Sequence, residues 1–196
     1  MTLHATFLFC HFLGVIGLFS AGIMMHKVGS RLRRAATVEE ARIWLGFART
    51  VAVFFPVSGI LILLTGLHLT ATAWSFGIPW VAVALVTVLT LLPTGPLVQR
   101  PRFMAMGKAA MQAGSGPVSP DLRRALTNPL VWGLVYTGSS GALGLLWIMT
   151  QKPLGWLGAA APVVVLGAAG AFLGSRTARR DRETADAPVR EAPPTR

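Results

Sequence analysis

Four histidines are the side chains in this sequence best suited to hold a ligand: His4, His11, His26 and His68. Three of them fall in the first apolar run. At ~100° per residue, His4 and His11 are ~20° apart on a helix and His26 lies within ~60° of both, so one face carries all three. His11 sits ~10 Å deeper than His4, and His26 closes the run beside Lys27. His68 belongs to the next apolar run, about one turn from its end. If these two helices are antiparallel, His11 and His68 lie at similar depth. Imidazole ligates iron, copper and zinc. The spacing therefore permits a haem b or copper ion held by His11 and His68, or a metal shared with His4. Ionisable side chains are costly in hydrocarbon and tend to mark function there. The plainer alternative is that each imidazole hydrogen-bonds across helices or wets an interface.

Met24-Met25-His26 forms a second constellation, and Met104, Met106 and Met111 lie on the same predicted side. Thioether with imidazole suits Cu(I), although methionine is also ordinary apolar filler. The candidate ligands are thus His11 and His68 for a cofactor, and His4, His26, Met24 and Met25 for a metal. Tyr136, the sole tyrosine, could hydrogen-bond a ligand or a neighbouring helix. The single cysteine, Cys10, excludes an internal disulfide and a cysteine-rich metal site. No phosphate-binding glycine loop, nucleophile elbow or HExxH is present.

The elements that must position these residues are membrane helices. Thr50 to Gln99 runs fifty residues without Asp, Glu, Lys or Arg, enough for two crossings at about 20 residues each. Over all 196 residues, 53% are hydrophobic, 13% are charged and the mean hydropathy is +0.60. Five spans are predicted, at about 3–25, 50–72, 78–98, 129–150 and 154–175: an all-α bundle. The first apolar run lacks a basic segment before it and is followed by Lys27, Arg31, Arg33 and Arg34, so it reads as a retained helix rather than a cleaved signal. Thr37 to Glu40 fits a capping box. Pro56 predicts a kink in the second span, and Pro93 and Pro96 a disturbed end to the third. Gly114 to Pro117 breaks the segment 100–128, and Ser119-Pro120 then opens a short helix to about Thr127. The tail, 176–196, is charged and proline-rich, which predicts disorder.

Charge sets the orientation. The segments 27–49, 100–128 and 176–196 hold six, five and six Lys or Arg, and only Lys152 lies on the other side. This asymmetry predicts the amino terminus outside and the carboxyl terminus inside. Basic loops against anionic headgroups account for the net charge of +11, so nucleic acid is not needed as a partner. Trp74, Trp80, Trp147 and Trp156 fall at the outer interface, with Trp44 and Trp132 near the inner one. No predicted span holds Asp, Glu, Lys or Arg, which argues against carboxylate proton relays and a charged substrate at the midplane. Gly141 and Gly144 in the fourth span, with Gly170 and Gly174 in the fifth, let backbones approach closely. They serve intramolecular packing or, alternatively, a homodimer or membrane partner.

His11 with Gly14 and Gly17, Pro56, Leu64-Thr65-Gly66-Leu67 and Met149-x-x-Lys152-Pro153 resemble a bacterial family of predicted integral membrane proteins of unknown function, over residues 3–175. That family is distantly similar to the copper-resistance D membrane domain and to membrane protoporphyrinogen oxidase. The resemblance implies an inner-membrane bundle and allows a first-helix haem ligand at His11. The oxidase's arginine in helix one and lysine in helix three have no counterpart here.

Three functions follow as expectations. The first is a haem b or copper site in the outer half of the bundle, for redox or metal handling. The second is a cofactor-free accessory or structural subunit of a larger membrane complex. The third is a transporter of a neutral or metal solute.

Overall fold

The long apolar runs form helices and the charged segments between them form more helix. The computed structural model describes residues 3–186. In order, α1 is Leu3–Arg34, α2 Val38–Ala52, α3 Phe54–Ala73, α4 Pro79–Thr94, α5 Arg100–Gln112, α6 Pro120–Leu126, α7 Pro129–Gln151 and α8 Trp156–Asp186. Five helical stretches are long and apolar enough to cross a membrane: Leu3–Arg34, Val38–Ala73, Pro79–Gln112, Pro120–Gln151 and Trp156–Thr184. The all-α bundle with five long apolar helices expected from the sequence is the architecture of the described residues. The basic segments, as far as they are described, gather at one end, the basic end, and Lys152 with Trp74, Trp80 and Trp156 stands at the far end.

Local chemistry explains most boundaries. Thr37 caps α2 by accepting from the Glu40 amide at 3.2 Å. Glu40 reaches back one residue further than a capping box requires, to the Ala36 amide at 3.0 Å. Ser119 accepts from the Leu122 amide at 3.3 Å with Pro120 in the first turn of α6. Gly116 takes a φ of 108°, which L side chains rarely adopt. Thr37 and Pro117 then form one isolated antiparallel bridge, through Val38 N–H to Gly116 O at 2.9 Å and Val118 N–H to Ala36 O at 3.1 Å.

Two proline expectations are located and one expectation is corrected. The disturbance in the second span falls at Val53, between α2 and α3. Pro56 cannot donate to the carbonyl four residues back, so the ladder breaks upstream of it. Pro93 and Pro96 disturb the third span as a single π turn, Gly95–Gln99, after which the helix continues to Gln112. The predicted disorder from residue 176 does not hold as far as Asp186. α8 runs through it, with Ala178 fully buried and Asp181 bonded to α1. The rest of the tail, 187–196, lies outside the described residues.

The larger core lies at the basic end and joins parts of α1, α2, α5, α6, α7 and α8, with Val28, Leu32, Leu126 and Trp132 fully buried. A smaller core at the far end packs Trp80, Val81, Ala84, Ile148 and Ala159.

Candidate functional site

α1 has two neighbours, and this decides where its histidines go. Along its first half it lies against α3, in a seam of small residues. A Cβ on Gly14 would stand 2.8 Å from Ile62 Cγ1, and one on Gly17 would stand 2.5 Å from Ser58 Oγ. His11 continues this seam one turn earlier, in the notch that Gly66 leaves: a Cβ there would meet the imidazole at 3.3 Å. Its Nδ1 lies 3.0 Å from Thr65 Oγ1. That hydroxyl already donates its only proton to Leu61 O at 2.6 Å, so the ring donates through Nδ1 and keeps Nε2 as its acceptor. His68, one turn beyond Thr65, stacks on Phe7 with ring centroids 3.7 Å apart.

The seam thus matches Phe7 to His68 and His11 to Thr65. The two imidazoles are displaced by about one turn, ~5 Å along the axis, and each has a different partner. Phe7 thus stands against one imidazole and Thr65 against the other, so the seam gives His11 and His68 no shared neighbour among these contacts.

Along its second half α1 turns to α7. His26 meets Tyr136 edge-on at 4.3 Å between centroids, and Gly29 lies directly under the Trp132 ring. The shared face of His4, His11 and His26 therefore borders different helices at different depths, and His4 is exposed. Met24 is 42% exposed whereas Met25 is buried, so consecutive thioethers point apart and do not converge with His26. Among the described residues, no group of three or more His, Cys, Asp or Glu is placed to hold a metal.

The densest polar chemistry is at the basic end, where the sequence reading saw only membrane-side charge. Arg33 is 2% exposed. Its Nε donates to Asp181 Oδ2 at 2.8 Å, its guanidinium lies 4.7 Å from the Trp132 ring centroid, and its Nη1 has no acceptor among the described residues. Arg34 Nε donates to the other Asp181 oxygen at 3.2 Å. Trp132 donates from Nε1 to Leu126 O at 2.8 Å and takes Phe103 edge-on. Arg123 donates to Arg33 O at 2.8 Å and Ala35 O at 2.7 Å, closing the carboxyl end of α1. Arg42 does the same for α5, to Ala110 O at 3.0 Å and Ala113 O at 2.6 Å. Guanidinium forks thus satisfy the orphan carbonyls of two helix ends. We call this layer the platform. Nothing in the sequence distinguishes Arg33 from its basic neighbours.

The four glycines read as a packing stripe are inside the bundle. A Cβ on Gly144 would meet Val163 Cα at 2.7 Å, and one on Gly170 would meet Tyr136 O at 2.6 Å. Gly174 presses on the Trp132 carbonyl, and Gly141 faces Leu91 of α4. All four are buried.

No protein-family model, curated protein or solved structure matches the chain. The resemblance noted from the sequence rests on its short motifs alone. Two openings flank the platform. One, about 160 Å³, is lined by Arg102, Ala105, Met106, Ala125, Asn128 and Val131. The other, a groove of about 280 Å³, is lined by Lys27, Ser30, Arg31, Arg34 and Glu40.

Proposed function

We propose that this chain is a cofactor-free accessory or structural protein of a membrane assembly, and that the platform is its working face. One observation carries the reading: the basic segments form a fixed, folded layer. Basic loops that only set orientation in a bilayer need no tertiary structure. Here Arg33 and Arg123 tie α1 to α8 and α6, and Arg42 ties α2 to α5, while Arg100 and Lys108 remain exposed. Such a layer presents positive charge in a fixed arrangement, which suits an acidic surface of a neighbouring subunit on the cytoplasmic side of a bacterial inner membrane. Extraction from native membranes in mild detergent tests it. The expected result is a colourless, metal-free protein with a stoichiometric partner, released by Arg100→Glu with Lys108→Glu and by high salt.

A second reading has its own support. The Thr65 hydroxyl fixes the His11 tautomer and leaves Nε2 as an acceptor, the arrangement that orients a ligating imidazole. A haem b or copper ion would then take His11 alone from this seam. A Soret band or bound copper in the purified protein, lost in His11→Ala, would favour it.

A further inference from the structure

The groove beside α1 has the makings of a phosphate site. Lys27, Ser30, Arg31 and Arg34 recur at helical spacing and share one face, and α2 supplies the opposite wall through Glu40. Lys27 and Arg31 have no ion-pair partner among the described residues, and both are exposed. Arg34 spends only its Nε, on Asp181. The Ser30 hydroxyl adds a donor. Glu40 opposes an anion, but its Oε2 is occupied by the Ala36 amide, and three cations line the groove against it.

The surroundings point the same way. Ile16 and Ile23, 61% and 69% exposed, lie on the same face of α1, eleven and four residues before Lys27, which is about three turns and one turn. Ile43 of α2, 69% exposed, stands beyond Glu40. An apolar strip thus runs directly into a cationic groove at the end of the apolar run. That order, hydrocarbon then phosphate, is the order of groups along a phospholipid.

We propose that this groove binds a phosphate oxyanion, from either an anionic phospholipid headgroup or free phosphate. The oxyanion would take its hydrogen bonds from Lys27 Nζ, the Arg31 and Arg34 guanidinium groups and Ser30 Oγ. This goes beyond the accessory-subunit reading and does not depend on it.

The test is native mass spectrometry of the full chain in detergent, titrated with dioctanoyl phosphatidic acid, dioctanoylglycerol or inorganic phosphate. Wild type should retain one phosphatidic acid and no dioctanoylglycerol. Lys27→Gln with Arg31→Gln should weaken retention about thirtyfold, while the control pair Arg49→Gln with Arg179→Gln, both exposed and outside the groove, leaves it unchanged. Phosphatidic acid retained without inorganic phosphate identifies a lipid site, and inorganic phosphate bound equally well identifies a free-anion site. Retention lost equally in both variant pairs would reduce the groove to general surface charge and overturn the proposal. So would equal binding of dioctanoylglycerol, or no binding of any probe. A circular-dichroism melt matching wild type shows that the variants are folded.

Discussion

The two ends of this bundle are held by different physics. At the far end and along the α1–α3 seam, helices approach through absent side chains: Gly14 against Ile62, Gly17 against Ser58 and Gly144 against Val163. Within the seam the polar contact is neutral, Thr65 between His11 and Leu61 O. At the basic end, a buried guanidinium, an aromatic ring and helix-capping arginines lock six helices. Apolar composition keeps charge out of the seam, whereas the basic end gathers it. The contrast teaches that a cluster of like charges can be used as structure when its members reach carbonyls, a carboxylate and a ring.

Variants can break that contrast, starting at the platform. Trp132→Ala removes a fully buried ring that touches Gly29, Arg33 and Phe103. It is expected to cost about 3–5 kcal/mol, read as a large drop in melting temperature in detergent. Asp181→Ala leaves Arg33 buried without its carboxylate, at a cost of about 3 kcal/mol. Its specific mark is release of the α8 end, measured as rapid proteolysis after Arg176, with the far-end helices still protected.

In the seam the expected effects are smaller and steric. Gly14→Val drives a side chain into Ile62 and should cost about 1–3 kcal/mol, with no change in proteolysis of the α8 end. Thr65→Val keeps the shape and removes the acceptor of His11 Nδ1–H. It should cost about 1 kcal/mol, seen as a small melting shift and as a changed imidazole signal in nitrogen NMR. If Gly14→Val freed the α8 end, or Asp181→Ala did not, the two regions would not be separate in the sense argued here.

The parts of the fold legible in the sequence are those with local causes. Thr37, Ser119-Pro120 and Gly116 act within a few residues of themselves, and apolar run length alone marks the five crossings. What was not legible depends on distant partners. The helix from Arg176 to Asp186 reads as a disordered tail, because its anchor, Asp181 on Arg33, lies 148 residues away. The helical wheel aligns His4, His11 and His26 on one face, yet it carries no information on which helix lies beside each. α3 takes His11 and α7 takes His26, so a shared face did not become a shared site. The candidate phosphate groove was visible only as membrane-side charge, since the wall contributed by Glu40 requires the α1–α2 turn to be folded.

The most direct test of the platform as a working face is the intact mass of the complex released from native membranes. The account predicts the chain plus a partner subunit, with no haem or copper mass, and dissociation in Arg100→Glu with Lys108→Glu. A chain carrying haem or copper and no partner would contradict it and return His11 to the centre of the function.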